Sequence, residues 1–245
     1  MSFVGLKAVL FDVDGTLYRQ RPLQRAMLLR LLRATAAAPV LGLRTLRVLA
    51  AYRRAQEELR DAGVGGDVAA EQVSRVCERT GAERPFVAAC VHRWMELEPL
   101  GLLARYPQPG LHDFLQACRS ANLRLGVLSD YPAEAKLEVL GLQDAFDVVL
   151  CAQSAEIRAL KPHPRGLQVA LERLGVRAEE ALYVGDRADV DAPAAAAAGV
   201  RCAILTRRRN EDRTAGWIPV SGYRQLHQLL TERSAHTTPG TQQEC

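Results

Sequence analysis

Ala8-Val9-Leu10-Phe11-Asp12-Val13-Asp14-Gly15-Thr16-Leu17 is the stretch that decides the fold. Four apolar residues run without alternation into an acid, as in a parallel strand that is buried on both faces and ends at a polar rim. Similar runs recur at 123–128, 146–151, 181–184 and 201–205, each ending near a polar residue. Helical patterns separate the later ones, at 133–140, at Arg165–Leu174 before Gly175, and at 192–198 before Gly199. Strand alternating with helix predicts an α/β fold, a doubly wound parallel sheet.

The interval from 17 to 103 breaks that rhythm, with helical periodicity and no strand pattern. It reads as an α-helical insertion with helices at 23–37, 43–62, 68–79 and 83–97, separated by Pro39, the turn from Gly63 to Gly66, and Gly81. Pro99 and Pro107-Gln108-Pro109-Gly110 are read as the return to the sheet. The expected division is a core of 1–17 with 104–233, a helical cap of 18–103, and a polar tail of 234–245.

Composition narrows the function classes. With 48% hydrophobic and 24% charged residues over 245 positions, the chain is neither disordered nor fibrous and can bury a substantial core. The net charge of +4 is carried almost wholly by arginine, the only lysines being Lys7, Lys136 and Lys161. The one tight basic run, Arg207-Arg208-Arg209, is diluted by Glu211 and Asp212, so no nucleic-acid partner is expected. The six cysteines form no C-x-x-C pair and five histidines show no metal-ligand spacing, which argues against disulfides and zinc. No run reaches the roughly 18 apolar residues of a membrane span, and no basic leader precedes Ala8, so no membrane partner and a cytoplasmic location are expected. A monomer or homodimer is expected.

In a doubly wound sheet the ligand crevice lies beyond the carboxyl ends of the strands. That rule gathers Asp12, Asp14, Ser129, Lys161 and Asp186 on one rim. Phosphoryl transfer needs a nucleophile, a proton donor for the leaving oxygen, and cations against the charge of the transferring group. Asp12 serves as nucleophile, and Asp14 protonates the departing alcohol and later activates water. Clustered carboxylates repel unless a cation sits among them, and an all-oxygen donor set favours Mg2+.

These motifs, in this order, resemble the four signatures of the haloacid dehalogenase superfamily, in its phosphatase branch with a helical cap of the first class. The resemblance implies a Mg2+-dependent phosphohydrolase of a small phosphorylated metabolite, acting through an aspartyl phosphate. It places catalysis on Asp12, Asp14 and Lys161, phosphate and substrate binding on Ser129, Asp130 and Lys161, and the metal on Asp12, Asp14, Asp186 and Asp191. Asp189 is an extra acid beside Asp191, and Asp191 is preferred for its distance to Gly199. Two positions depart from the common pattern. Asp130 stands where asparagine is usual and Arg187 where a small hydroxyl residue is usual.

A phosphomutase of the same superfamily and a non-catalytic phospho-ligand module remain as alternatives. A dehalogenase is disfavoured because Asp14 would have no use there. Arg25, Arg30, Arg33, Arg44, Arg47, Arg53 and Arg54 of the insertion are read either as a solvated face or as selectors of an anionic substrate.

Overall fold

The computed structural model describes residues 5–63, 66–206 and 216–235. The run Arg207-Arg208-Arg209, His236, Cys245 and residues 236–245 of the expected tail lie outside them. Six parallel strands form one sheet: β1 (Ala8–Phe11), β2 (Arg124–Ser129), β3 (Val148–Cys151), β4 (Ala181–Gly185), β5 (Arg201–Leu205) and β6 (Ile218–Val220), in the order β3-β2-β1-β4-β5-β6. The order reverses at β1, which pairs with β2 on one side and β4 on the other. The segments leaving β1, β2 and β4 therefore meet at the topological switch point, where such sheets bind ligands.

Alternate side chains of β1 supply two cores. Val9 and Phe11 pack with Phe114 of α6 (Leu111–Ser120), Leu137 of α7 (Glu134–Val139) and Tyr223 of α10 (Tyr223–Ala235). Ala8 and Leu10 pack with Leu167 and Leu171 of α8 (Arg165–Leu174) and with Ala194 and Ala195 of α9 (Asp191–Ala197). Full burial of each large side chain contributes roughly 1.5–3 kcal/mol, which is why the strands read as continuous apolar runs. The alanines of α9 let that helix sit close against the sheet.

Between β1 and α6 lie α1 (Gln20–Ala37), α2 (Pro39–Ala62), α3 (Val68–Thr80), α4 (Arg84–Val91), a π-helical turn (His92–Leu97) and α5 (Glu98–Leu103). Val48, Ala51, Tyr52, Ala55, Val76, Val87 and Cys90 give these helices a core of their own, against which Tyr131 of the sheet region packs. Pro39, expected as a break, opens α2 in its first turn, where the missing N–H costs nothing; Pro99, also expected as a break, stands just past the π-turn in a run whose preceding residues Leu97 and Glu98 are both helical. The helical path consequently continues to Leu103 through the π-turn. Strand β6 and helices α6 and α10 were not among the expected elements. Cys77, Cys90, Cys118, Cys151 and Cys202 are free thiols, and among the described residues no helix is long and apolar enough to cross a membrane.

Candidate active site

Asp12 follows β1 directly, and its N–H donates to the Val184 carbonyl at 2.9 Å. Its buried carboxylate is held from two directions, by Lys161 Nζ on Oδ1 at 2.6 Å and by the Thr16 hydroxyl on Oδ2 at 3.0 Å. The same ammonium donates to Asp191 Oδ1 at 2.7 Å and to the Tyr183 hydroxyl at 3.0 Å, so its three donors are all satisfied. Burial works against the charged lysine, but Asp12 and Asp191 outweigh it and hold Lys161 well above the ordinary range.

Asp191 opens α9 and is almost completely buried. Its Oδ2 accepts the backbone N–H of Asp186 at 3.2 Å and of Arg187 at 3.0 Å, so it fixes the turn that presents Asp186. Carboxylate oxygens of Asp12, Asp186 and Asp191 lie within 4.8 Å of one another. Burial raises Asp12 most; Lys161 pulls it back, Asp191 and Asp14 add repulsion, and it stands at about 7. Asp186 is pushed up to about 8 by burial and by repulsion from Asp12 and Asp191. Three acids this close resist common ionisation, and their oxygen-only donors suit a hard cation.

Asp14 lies apart from that triad. Lys136 of α7 places Nζ 2.5 Å from its Oδ1, and the Tyr18 hydroxyl donates to the same oxygen at short range. Burial opposes ionisation here too, yet Lys136 and Tyr18 outweigh it and hold Asp14 below its usual value. Replacing Lys136 by Met is expected to raise the Asp14 pKa and move the limb of the pH–kcat profile that Asp14 controls to higher pH. An unmoved limb would show that the lysine does not set this ionisation.

Ser129 ends β2 fully buried, its hydroxyl accepting the Tyr131 N–H at 3.3 Å. Asp130 Oδ1 accepts the Lys161 N–H at 3.1 Å, and its Oδ2 pairs with Arg60 at 2.7 Å. The structure thus brings Asp12, Lys161, Asp186 and Asp191 into one cluster with Asp14 beside it, whereas the Asp130 carboxylate faces Arg60 and the backbone of Lys161. Asp189 lies at the surface on Arg187. Of the insertion's seven arginines named above, Arg30 pairs with Glu98, Arg54 with Glu58, and Arg44 stacks 4.6 Å from the Phe86 ring. The arginine that reaches the rim is Arg60, which sequence reasoning passed over.

It also passed over Thr16, Tyr18, Tyr183 and Lys136. Thr16 lies within the opening motif and Lys136 is one of only three lysines in an arginine-rich chain, two of which stand at this site.

The turn that follows Asp14 is tightly constrained. Gly15 has φ 99°, and a Cβ there would fall 2.0 Å from Asp186 Oδ2. Gly15→Ala is expected to cost about 1–3 kcal/mol of stability through its backbone. Displacing Asp186 should add a loss of turnover of about 100-fold. Gly63, with φ 61° and open space around it, is the control, and Gly63→Ala should cost stability only. Calorimetry with steady-state kinetics on both variants separates the effects, and equal turnover in the two would count against the crowding argument.

A parallel sheet whose switch point gathers acids around a buried lysine defines a class of hydrolase, and the family comparison agrees. The haloacid dehalogenase-like hydrolase family model matches residues 6–199, and the chain belongs to that family. It is 34% identical over 213 residues to a glyceraldehyde 3-phosphate phosphatase of Methanopyrus kandleri, covering 84% of this chain and 87% of the relative. A phosphoglycolate phosphatase of Rhodospirillum rubrum is 31% identical over 215 residues, covering 82% and 79%. Among solved structures, a 2-haloacid dehalogenase of Pseudomonas syringae pv. tomato superposes with TM-score 0.66 at 22% identity, covering 93% of this chain and 99% of that one. A phosphatase of Thermococcus onnurineus gives TM-score 0.58 at 24% identity, covering 92% and 98%. At such identities these two structures speak for the fold alone.

Proposed function

We propose that this enzyme is a Mg2+-dependent phosphohydrolase of a small phosphate monoester, working through an aspartyl phosphate on Asp12. The observation that carries the reading is the pairing of two differently tuned acids: Asp12, between Lys161 and Thr16 beside Asp186, and Asp14, held ionised by Lys136 and Tyr18. A dehalogenase has no use for the second acid. The named substrates of the phosphatase relatives, glyceraldehyde 3-phosphate and phosphoglycolate, favour a short phosphorylated metabolite here.

The residues fit a magnesium ion. Asp12 and Asp186 would hold it, Asp191 would brace the turn that carries Asp186, and the ion would neutralise charge on the bound phosphoryl group. Asp14, ionised at rest, first takes the proton of a monoester bound as its monoanion; Asp12 then forms the new O–P bond while the bond to the leaving oxygen breaks, and that oxygen takes the proton from Asp14. A water then gives a proton to Asp14 and attacks phosphorus, which frees Asp12. The ionised state of Asp14 set by Lys136 is the base form that the second step requires. Lys161 and the Ser129 hydroxyl would bind phosphate oxygens.

Residues 18–103 would act as a cap over a core of 1–17 with 104–233, excluding water and reading the leaving group. The reading is tested by phosphate release from a panel of short phosphorylated metabolites and an aryl phosphate, with magnesium or with chelator. Magnesium-dependent release on part of the panel is expected. Conversion between phosphorylated isomers without release would instead indicate a mutase, and silence on every ester would sink the hydrolase reading.

A further inference from the structure

Both departures from the family pattern meet the same turn of α2. Asp130 pairs with Arg60, and Arg187 pairs with Glu57 at 3.1 and 3.4 Å, Glu57 and Arg60 standing three residues apart. The polarity alternates, with insertion base on core acid in one pair and insertion acid on core base in the other. A slip of the insertion that set Arg60 toward Arg187 would oppose like charges, so one seating is selected against its neighbours.

The inner pair reaches further. Arg60 has a side chain only 6% exposed, and its second nitrogen donates to the Lys161 carbonyl at 2.7 Å. Asp130 accepts the Lys161 N–H at 3.1 Å. Lys161 is therefore gripped at its N–H and at its carbonyl, by two side chains that are themselves ion-paired, one from the sheet and one from the insertion. Asparagine at 130 would accept the N–H but would leave buried Arg60 with only the half-exposed Glu57, 3.5 Å from its Nε, as counter-charge, which accounts for the acid at this position. In parallel, the Arg187 N–H is held by Asp191, so the outer pair ties α2 to the turn that carries Asp186.

We infer that Arg60, seconded by Glu57, is a positioning residue: it clamps the helical insertion on the rim and, through the Lys161 main chain, sets the lysine that contacts Asp12. The catalytic half of this inference rests on the phosphohydrolase reading, and the clamp itself does not.

The test uses the full chain with Arg60→Ala, Arg60→Lys, Asp130→Asn and Glu57→Gln, each assayed by amide hydrogen exchange and by kcat and KM for an aryl phosphate with magnesium. In Arg60→Ala the Lys161 amide should exchange about 100-fold faster than in wild type. Its kcat should fall by about 100-fold with KM little changed, because a displaced catalytic group costs rate rather than uniform binding. Arg60→Lys should recover part of both, since an ammonium can reach one of the two acceptors. Asp130→Asn should move both readouts in the same direction, and Glu57→Gln should loosen α2 exchange more than it slows turnover. If Arg60→Ala does not fold, Arg60→Lys and Asp130→Asn carry the test. Unchanged Lys161 exchange in folded variants overturns the clamp, and faster exchange at unchanged kcat overturns the positioning role. A wild type inert on every ester refutes the phosphohydrolase reading instead, while exchange still decides the clamp.

Discussion

Asp12→Asn is expected to lower phosphate release by about 10⁴-fold or more, the scale on which removal of a covalent nucleophile acts. A carboxamide nitrogen or oxygen is a poor nucleophile, and the substitution also takes an anion from Lys161. The fold should survive, because Lys161 keeps Asp191 at 2.7 Å and Tyr183 at 3.0 Å as acceptors, the amide oxygen can still accept from Lys161, and the Thr16 hydroxyl can turn to accept from the amide nitrogen. Removing one charge from the acidic triad also relieves the repulsion that raises Asp186. Activity should therefore collapse while the thermal midpoint of the metal-free protein stays level or rises. Loss of activity together with a large fall in midpoint would mean that Asp12 is chiefly structural.

The second large effect concerns magnesium and pH together. Asp12 and Asp186 have folded-state pKa values of about 7 and about 8 against 3.8 for the ordinary carboxyl. Between those limits the folded metal-free chain binds more protons than the unfolded chain does, so its stability is greatest at the acid end and falls as pH climbs toward 8. Magnesium competes with those protons for the ionised acids, so its stabilisation should be small near about pH 5 and approach its maximum near about pH 8. At about 100 times its dissociation constant a single ion contributes about 2.7 kcal/mol, which for a chain of this size is a midpoint shift of roughly 5–10 °C. Calorimetry at both pH values with and without magnesium measures this. Equal shifts at the two values, or none at either, would contradict a site built on these acids.

The legible part of the molecule was the part that lies along one strand. Residues 8–17 announce a buried strand and its two acids, and β5 appears with its bounds as read because an apolar run and the break after it are local facts. Lys161 and Asp186 were readable from order and spacing, since a parallel sheet delivers strand ends to one rim. Lys136 and Arg60 were not, because their contacts to Asp14 and Asp130 depend on where α7 and α2 dock, 122 residues of separation in the case of Lys136 and Asp14; Tyr18 stands only four residues from Asp14, but the path of the turn after β1 decides where its hydroxyl points. The prolines show a different limit. Pro39 is equally compatible with a break and with a helix start, and Pro99 sits in a helical run that a π-turn carries past it, a local widening that the residue pattern does not announce. Strand β6 was missed because it is three residues long with Pro219 at its centre, a residue that sheets tolerate at an edge.

A covalent phosphoryl group on Asp12 can be trapped by acid quenching of the wild-type enzyme during turnover of a phosphorus-labelled substrate, followed by peptide mapping of the quenched protein. Label is expected on the peptide that carries Asp12, present in wild type and absent in Asp12→Asn. Full turnover with no label on that peptide, or label that persists in Asp12→Asn, would contradict it.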